Sequence, residues 1–199
     1  MDKNTEDFSP AESIRLIQSM IDKTRQGVFE NSRYFLLWGW CTFAATTGQF
    51  LLKAVLHSQY HYVVWWIVAP CLLVSRYWVW QRKEKRAKTY VNETMRYLWT
   101  GLSLAYFAVS MIFVKLGWEN CYPFYMVLYG LGTFVSGRIL QFRLFVWGGI
   151  ASFILAGIAI WFEFDYQALF AAAAIFISYI IPGHLFRLKN KNPGYLVAG

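Results

Sequence analysis

The side chains able to do chemistry in this sequence are few, and their spacing says more about binding than about catalysis. His57 and His61 are four apart, which on a helix sets two imidazoles on one face, as metal ligands require. No third ligand lies close in sequence, and Glu119 or Cys121 would have to arrive from elsewhere. Two polar aromatics at a boundary are therefore the plainer reading, and neither a metal nor a cofactor is expected. Gln49 stands in an apolar run with Thr42, Thr46 and Thr47. The threonine hydroxyls can bond back to their own helix, but an amide in apolar surroundings needs a partner. Gluing one helix to another is the favoured role for Gln49, with ligand contact by Thr46, Gln49 and the region of Pro70 as the alternative. Pro70 falls near the middle of its apolar segment, where a missing N–H bends a helix.

Reaction motifs are missing. There is no His-Glu-x-x-His pair, no Gly-x-Ser-x-Gly elbow and no phosphate-binding glycine loop. Glu119, Glu163 and Asp165 sit at segment boundaries, and no carboxylate falls mid-segment, where a proton- or sodium-driven carrier would place one. The chain reads as a non-enzyme. Arg76, Arg82, Lys83, Arg86, Arg138 and Arg143 are candidates for contact with anionic lipid headgroups.

Elements of an unusual kind must position these residues. The chain is 57% hydrophobic and only 15% charged, which is more apolar than an ordinary globular domain. Tyr34–Leu52, Tyr97–Val114, Asn120–Gly137, Leu144–Phe162 and Tyr166–Phe186 contain no Asp, Glu, Lys or Arg. Each approaches the ~20 residues that a helix needs to cross a bilayer. A sixth segment, from His61 to Trp80, qualifies if Arg76 snorkels to the headgroups. Backbone groups in lipid must be paired within their own segment, so these are helices. The sequence thus predicts an all-α integral membrane protein with six transmembrane helices in a compact bundle. The expected spans are 34–55, 60–80, 95–116, 121–139, 142–162 and 166–186, within a transmembrane domain of residues 32–188.

Charge sets the orientation. The run from Arg82 to Lys88 follows the second span, and most other lysines and arginines collect on the same side. The opposite side keeps Lys53 and Lys115. The positive-inside bias then puts both termini in the cytoplasm of a cell or plasma membrane. Residues 1–8 read as a disordered tail and 189–199 as a cytoplasmic tail. Between them, residues 9–31 open with Ser9-Pro10-Ala11-Glu12, a helix start. They continue as a cytoplasmic amphipathic helix suited to the inner leaflet, the bundle mouth or a protein partner. All ten tryptophans fall near span ends, as interfacial indoles do. Cys41, Cys71 and Cys121 are too scattered for a disulfide framework, and the basic run needs no nucleic acid to explain it.

Small residues mark the packing faces: Gly130, Gly132, Ser136 and Gly137 in the fourth span, Gly148, Ser152 and Ala156 in the fifth. Pro182-Gly183 is expected to stop the sixth. Helices 1, 3 and 5 share a cationic and Trp-Gly-like entry, which a common interfacial anchor explains as well as three repeated hairpins would. The layout suits a non-catalytic membrane partner, sensor or regulatory subunit, able to form an oligomer. The alternative is a protein that binds or moves a small solute or lipid without a buried proton-coupling carboxylate.

Overall fold

The computed structural model describes residues 33–81 and 90–191, which are helical apart from short turns and contain no strand. The expected tail 1–8, the amphipathic helix 9–31, the basic residues Arg82, Lys83 and Arg86, and residues 192–199 lie outside them. Helix α1 covers 33–50 and continues as a π-helical turn, Leu51–Val55. A 3-10 helix, His61–Ile67, leads into α2, Val68–Gln81. Then come α3 (Tyr90–Leu116), α4 (Cys121–Ile139) and α5 (Arg143–Ala159). Helix α6 (Phe164–Ile175) passes through a π-helical turn, Phe176–Ile180, into α7 (Ile181–Lys191).

The turns between rods follow from local chemistry. After α3, Gly117 takes φ +89°, and its N–H donates to the Phe113 carbonyl at 2.9 Å; a residue with a Cβ adopts that conformation only at a cost. Between α4 and α5 the left-handed residue is Gln141, and the Phe142 N–H closes the turn on the Gly137 carbonyl at 2.9 Å.

The rods alternate in direction. Leu36 lies beside Gly183 while Lys53 reaches Asp165, so α1 runs antiparallel to α6 and α7. Tyr34 meets Trp78 edge-on and Gln49 meets Trp65, so α1 and the next rod are antiparallel. Leu102 abuts Gly132 while Phe113 meets Phe124, which does the same for α3 and α4. The start of α1 and the whole of α7 therefore share one end of the molecule.

Pro70 lies near the middle of a continuous helical rod, His61–Gln81, and the change from 3-10 to α winding happens just before it. One sequence expectation about proline is corrected. Pro182-Gly183 does not stop the last helix, because the π-helical turn before it shifts the hydrogen-bond ladder by one residue. The Ile181 N–H bonds back to the Phe176 carbonyl, and the chain continues helically to Lys191.

Packing is tightest where glycines face other helices. A Cβ at Gly149 would lie 2.7 Å from the Phe134 Cβ and 2.8 Å from the Gly130 carbonyl oxygen, and one at Gly137 would lie 2.7 Å from the Val146 nitrogen. Helices α4 and α5 thus meet backbone to backbone. Gly148, expected on the same face, turns instead to the second π-helical turn, where a Cβ would sit 2.7 Å from the Ser178 Cα.

Among the described residues two helices are long and apolar enough to cross a membrane, Glu93–Leu116 and Phe164–Leu188; Arg143–Ala159 is apolar but shorter. The core is apolar, yet it admits several polar residues while large apolar side chains stand on the surface. Thr46, Gln49, Thr133, Ser152 and Gln167 are buried, whereas Leu73, Leu104, Phe107 and Trp161 are 71%, 67%, 64% and 86% exposed. An exposed apolar surface of that kind marks contact with lipid or with another protein.

Candidate functional site

Of the buried polar residues, Thr42, Thr46, Gln49 and Ser152 line a cleft of about 1350 Å³ bordered by α1, the rod His61–Gln81, α3, α4 and α6, whereas Thr133, Ser136, Gln167 and Ser178 lie outside it. The cleft exists because α3 stands off from its neighbours. Only 11% of its apolar window is buried, against 56% for Phe164–Leu188. It touches α4 through Trp99 and Leu102 at Gly132 and through Tyr106, stacked on Tyr125 with ring centroids 5.7 Å apart.

Gln49 organises the end of the cleft near Trp118 and Phe164. It is 5% exposed. Its side-chain oxygen accepts from the Trp65 indole N–H and, at 2.9 Å, from the Tyr122 hydroxyl. The amide thus joins α1 to the rod His61–Gln81 and to α4. Tyr122 in turn packs on Phe164 of α6, with centroids 5.3 Å apart. Nearby, Lys53 pairs with Asp165 at 2.8 Å and lies 4.2 Å over the Phe164 ring.

Hydroxyl groups fill the middle. The Thr46 hydroxyl donates to the Thr42 carbonyl at 2.9 Å, and that of Thr42 to the Trp38 carbonyl at 2.6 Å. These are the back-bonds expected of threonine in a helix. Across the cleft the Ser110 and Tyr125 hydroxyls share a 2.7 Å hydrogen bond. Tyr129 meets Tyr179 edge-on at 5.0 Å. At the far end stand Arg76 and Arg96, the latter 3.6 Å from Glu93 on its own helix.

The other sequence candidates are dispersed. His57 sits in a turn with φ +49°, and His61 begins the 3-10 helix. No helix runs through both, so the spacing of four does not put their rings on one face. Among the described residues no group of three His, Cys, Asp or Glu side chains could hold a metal ion. His61 does line the cleft. Pro70 is exposed on the outside of α2, away from Thr46 and Gln49. Arg76 borders the cleft, while Arg138 and Arg143 are exposed beside the α4–α5 turn. His184 accepts from the Trp40 indole at 3.3 Å.

Sequence reasoning missed the tyrosines. Tyr106, Tyr122, Tyr125, Tyr129 and Tyr179 all line the cleft. The available signal was that these residues interrupt apolar segments, several of them well away from the ends. Several tryptophans read as interfacial anchors, Trp65 and Trp99 among them, also border it.

Chemically, the described lining offers indole, amide, hydroxyl, imidazole and guanidinium groups among aromatic rings, and no carboxylate. Such a wall can donate hydrogen bonds and stack on flat groups. No family model matches the chain, nor does any curated protein or solved structure compared with it.

Proposed function

We infer that this chain is a multi-pass membrane protein that binds a small amphipathic molecule in its interior cleft, without catalysis. The observation that carries this reading is the cleft itself, about 1350 Å³ lined by rings and hydroxyls inside a molecule whose outer surface is apolar. Pockets for small ligands have this composition, an aromatic wall with a few placed polar groups.

The six-span, N-in/C-in arrangement belongs to the proposal. At ~1.5 Å per residue, a helix the length of α5 is about 26 Å and one the length of α3 about 40 Å, which bracket the ~30 Å of a hydrocarbon layer. Alternating rods with turns between them suit repeated crossing, and the arginines beside the α4–α5 turn suit an anionic inner leaflet. The partner or sensor reading rests on residues 9–31, whereas the cleft favours a ligand-binding protein.

Purification of the full chain in native nanodiscs, with mass spectrometry of everything retained, tests this directly. Ser103 lines the cleft and is exposed, so Ser103→Trp obstructs the cleft with a bulky ring that has room to enter it. A stoichiometric small molecule or lipid retained by the native chain and lost from that variant supports the reading. A stoichiometric protein with no small molecule overturns it in favour of a partner role.

A further inference from the structure

We propose that the Gln49 amide is the recognition element of the cleft, and that its ligand is an apolar molecule carrying a carbonyl or carboxylate oxygen. This rests on the ligand-binding reading above and specifies it. The orientation of the amide follows from its neighbours. An indole N–H can only donate, so the Gln49 atom facing Trp65 must be the oxygen. The Tyr122 hydroxyl spends its proton on that same oxygen. The nitrogen, with its two N–H donors, makes no hydrogen bond to any described residue. With its oxygen engaged twice, what this buried side chain has left to offer the cleft is a pair of donors.

The donor pair opens onto the cleft, and three helical segments hold it in place through the Trp65 and Tyr122 bonds. Its complement is an oxygen that only accepts. The surroundings narrow the class further. The Trp65, Tyr122 and Phe164 rings stand around the amide, and the tyrosine-lined length of the cleft takes an apolar body. The described lining holds no carboxylate, and Arg76 and Arg96 stand at the opposite end of the cleft from Gln49. Two ligand sources share this chemistry: a neutral quinone-type carbonyl and a fatty-acid carboxylate.

The test uses the full chain in nanodiscs and two probes, a short-chain benzoquinone and oleate, each titrated to saturation. Gln49→Leu removes the donors. Gln49→Glu also removes them but keeps an acceptor for Trp65 and Tyr122, so it preserves the helix contacts. The native chain is expected to bind one probe saturably. Loss of the donors should then weaken a neutral carbonyl about fivefold and a carboxylate about ten- to a hundredfold, with Gln49→Glu repelling the carboxylate further. If Ser103→Trp blocks binding but both Gln49 variants bind as the native chain does, the cleft is a ligand site and Gln49 serves only to join helices, which overturns this inference alone. If neither probe saturates the native chain while its nanodiscs still retain a small molecule, the proposed ligand class is wrong and the binding reading stands. If no small molecule is retained either, both fall.

Discussion

Two glycines on α5 offer a paired perturbation whose signs should be opposite. At Gly149 an added Cβ would lie 2.7 Å from the Phe134 Cβ, 2.8 Å from the Phe134 nitrogen and 2.8 Å from the Gly130 oxygen. Ordinary carbon contacts sit at about 3.5–4.0 Å, so α4 and α5 must separate by roughly 1 Å. Two of the three obstacles are backbone atoms, which no rotamer change can move. That puts Gly149→Ala near the upper end of overpacking costs, about 3 kcal/mol. The better helix propensity of alanine returns about 1 kcal/mol, leaving a loss of about 2 kcal/mol. At Gly157 nothing lies within 4 Å of the added Cβ, so the propensity gain of about 1 kcal/mol stands alone. The difference of about 3 kcal/mol corresponds to about 6–12 °C in Tm for a chain of this size. Thermal unfolding of both variants in one detergent, followed by helical circular dichroism, measures it. Equal Tm values, or a more stable Gly149→Ala, would refute the close α4–α5 contact.

Other expectations need less working. Trp65→Phe removes one hydrogen bond to Gln49 and should lower stability by about 0.5–1.5 kcal/mol; Gln49→Leu strands both the Trp65 and Tyr122 donors and should cost more, about 1–3 kcal/mol for each donor left buried. Chemical denaturation of the two variants gives the ranking, and the reverse order would contradict the paired contacts. The Lys53–Asp165 pair is about one-third exposed on each side, so a charge-swap double-mutant cycle should return a coupling below about 1 kcal/mol. A larger coupling would mean the pair is shielded from solvent. Gly117→Ala forces a Cβ into a φ of +89° and should lower stability by about 1–2 kcal/mol although no neighbour is touched. In intact cells, a cysteine placed at Ser58 should react with an impermeant thiol reagent and one at Gln141 only after permeabilisation; the opposite pattern would invert the proposed orientation.

The boundaries of α4 were legible from its apolar run and from Pro123 in its first turn, and the structure gives the same residues, Cys121–Ile139. Hydropathy and turn chemistry are local, so a short window of sequence contains them. The expectation that Pro182 ends its helix failed for a related reason. A missing N–H breaks a helix only if the surrounding ladder stays in α register, and at Pro182 a π-helical turn changes that register. The stripe of Gly148, Ser152 and Ala156 was read as one face, yet the residue meeting α4 backbone to backbone is Gly149. Spacing shows that small residues share a side but not which neighbour will occupy it.

The sequence by itself determined that the chain is helical, that its apolar segments are separated by polar or turn-forming residues, and that its carboxylates avoid the middle of those segments. Composition and period along the chain carry all of that. Only the tertiary structure decided that α3 borders a cleft, that seven tyrosines line it, and that Gln49 is oriented by two partners. The Gln49–Tyr122 bond joins residues 73 positions apart, and the side on which an amide keeps its free donors depends on what the fold brings against its oxygen.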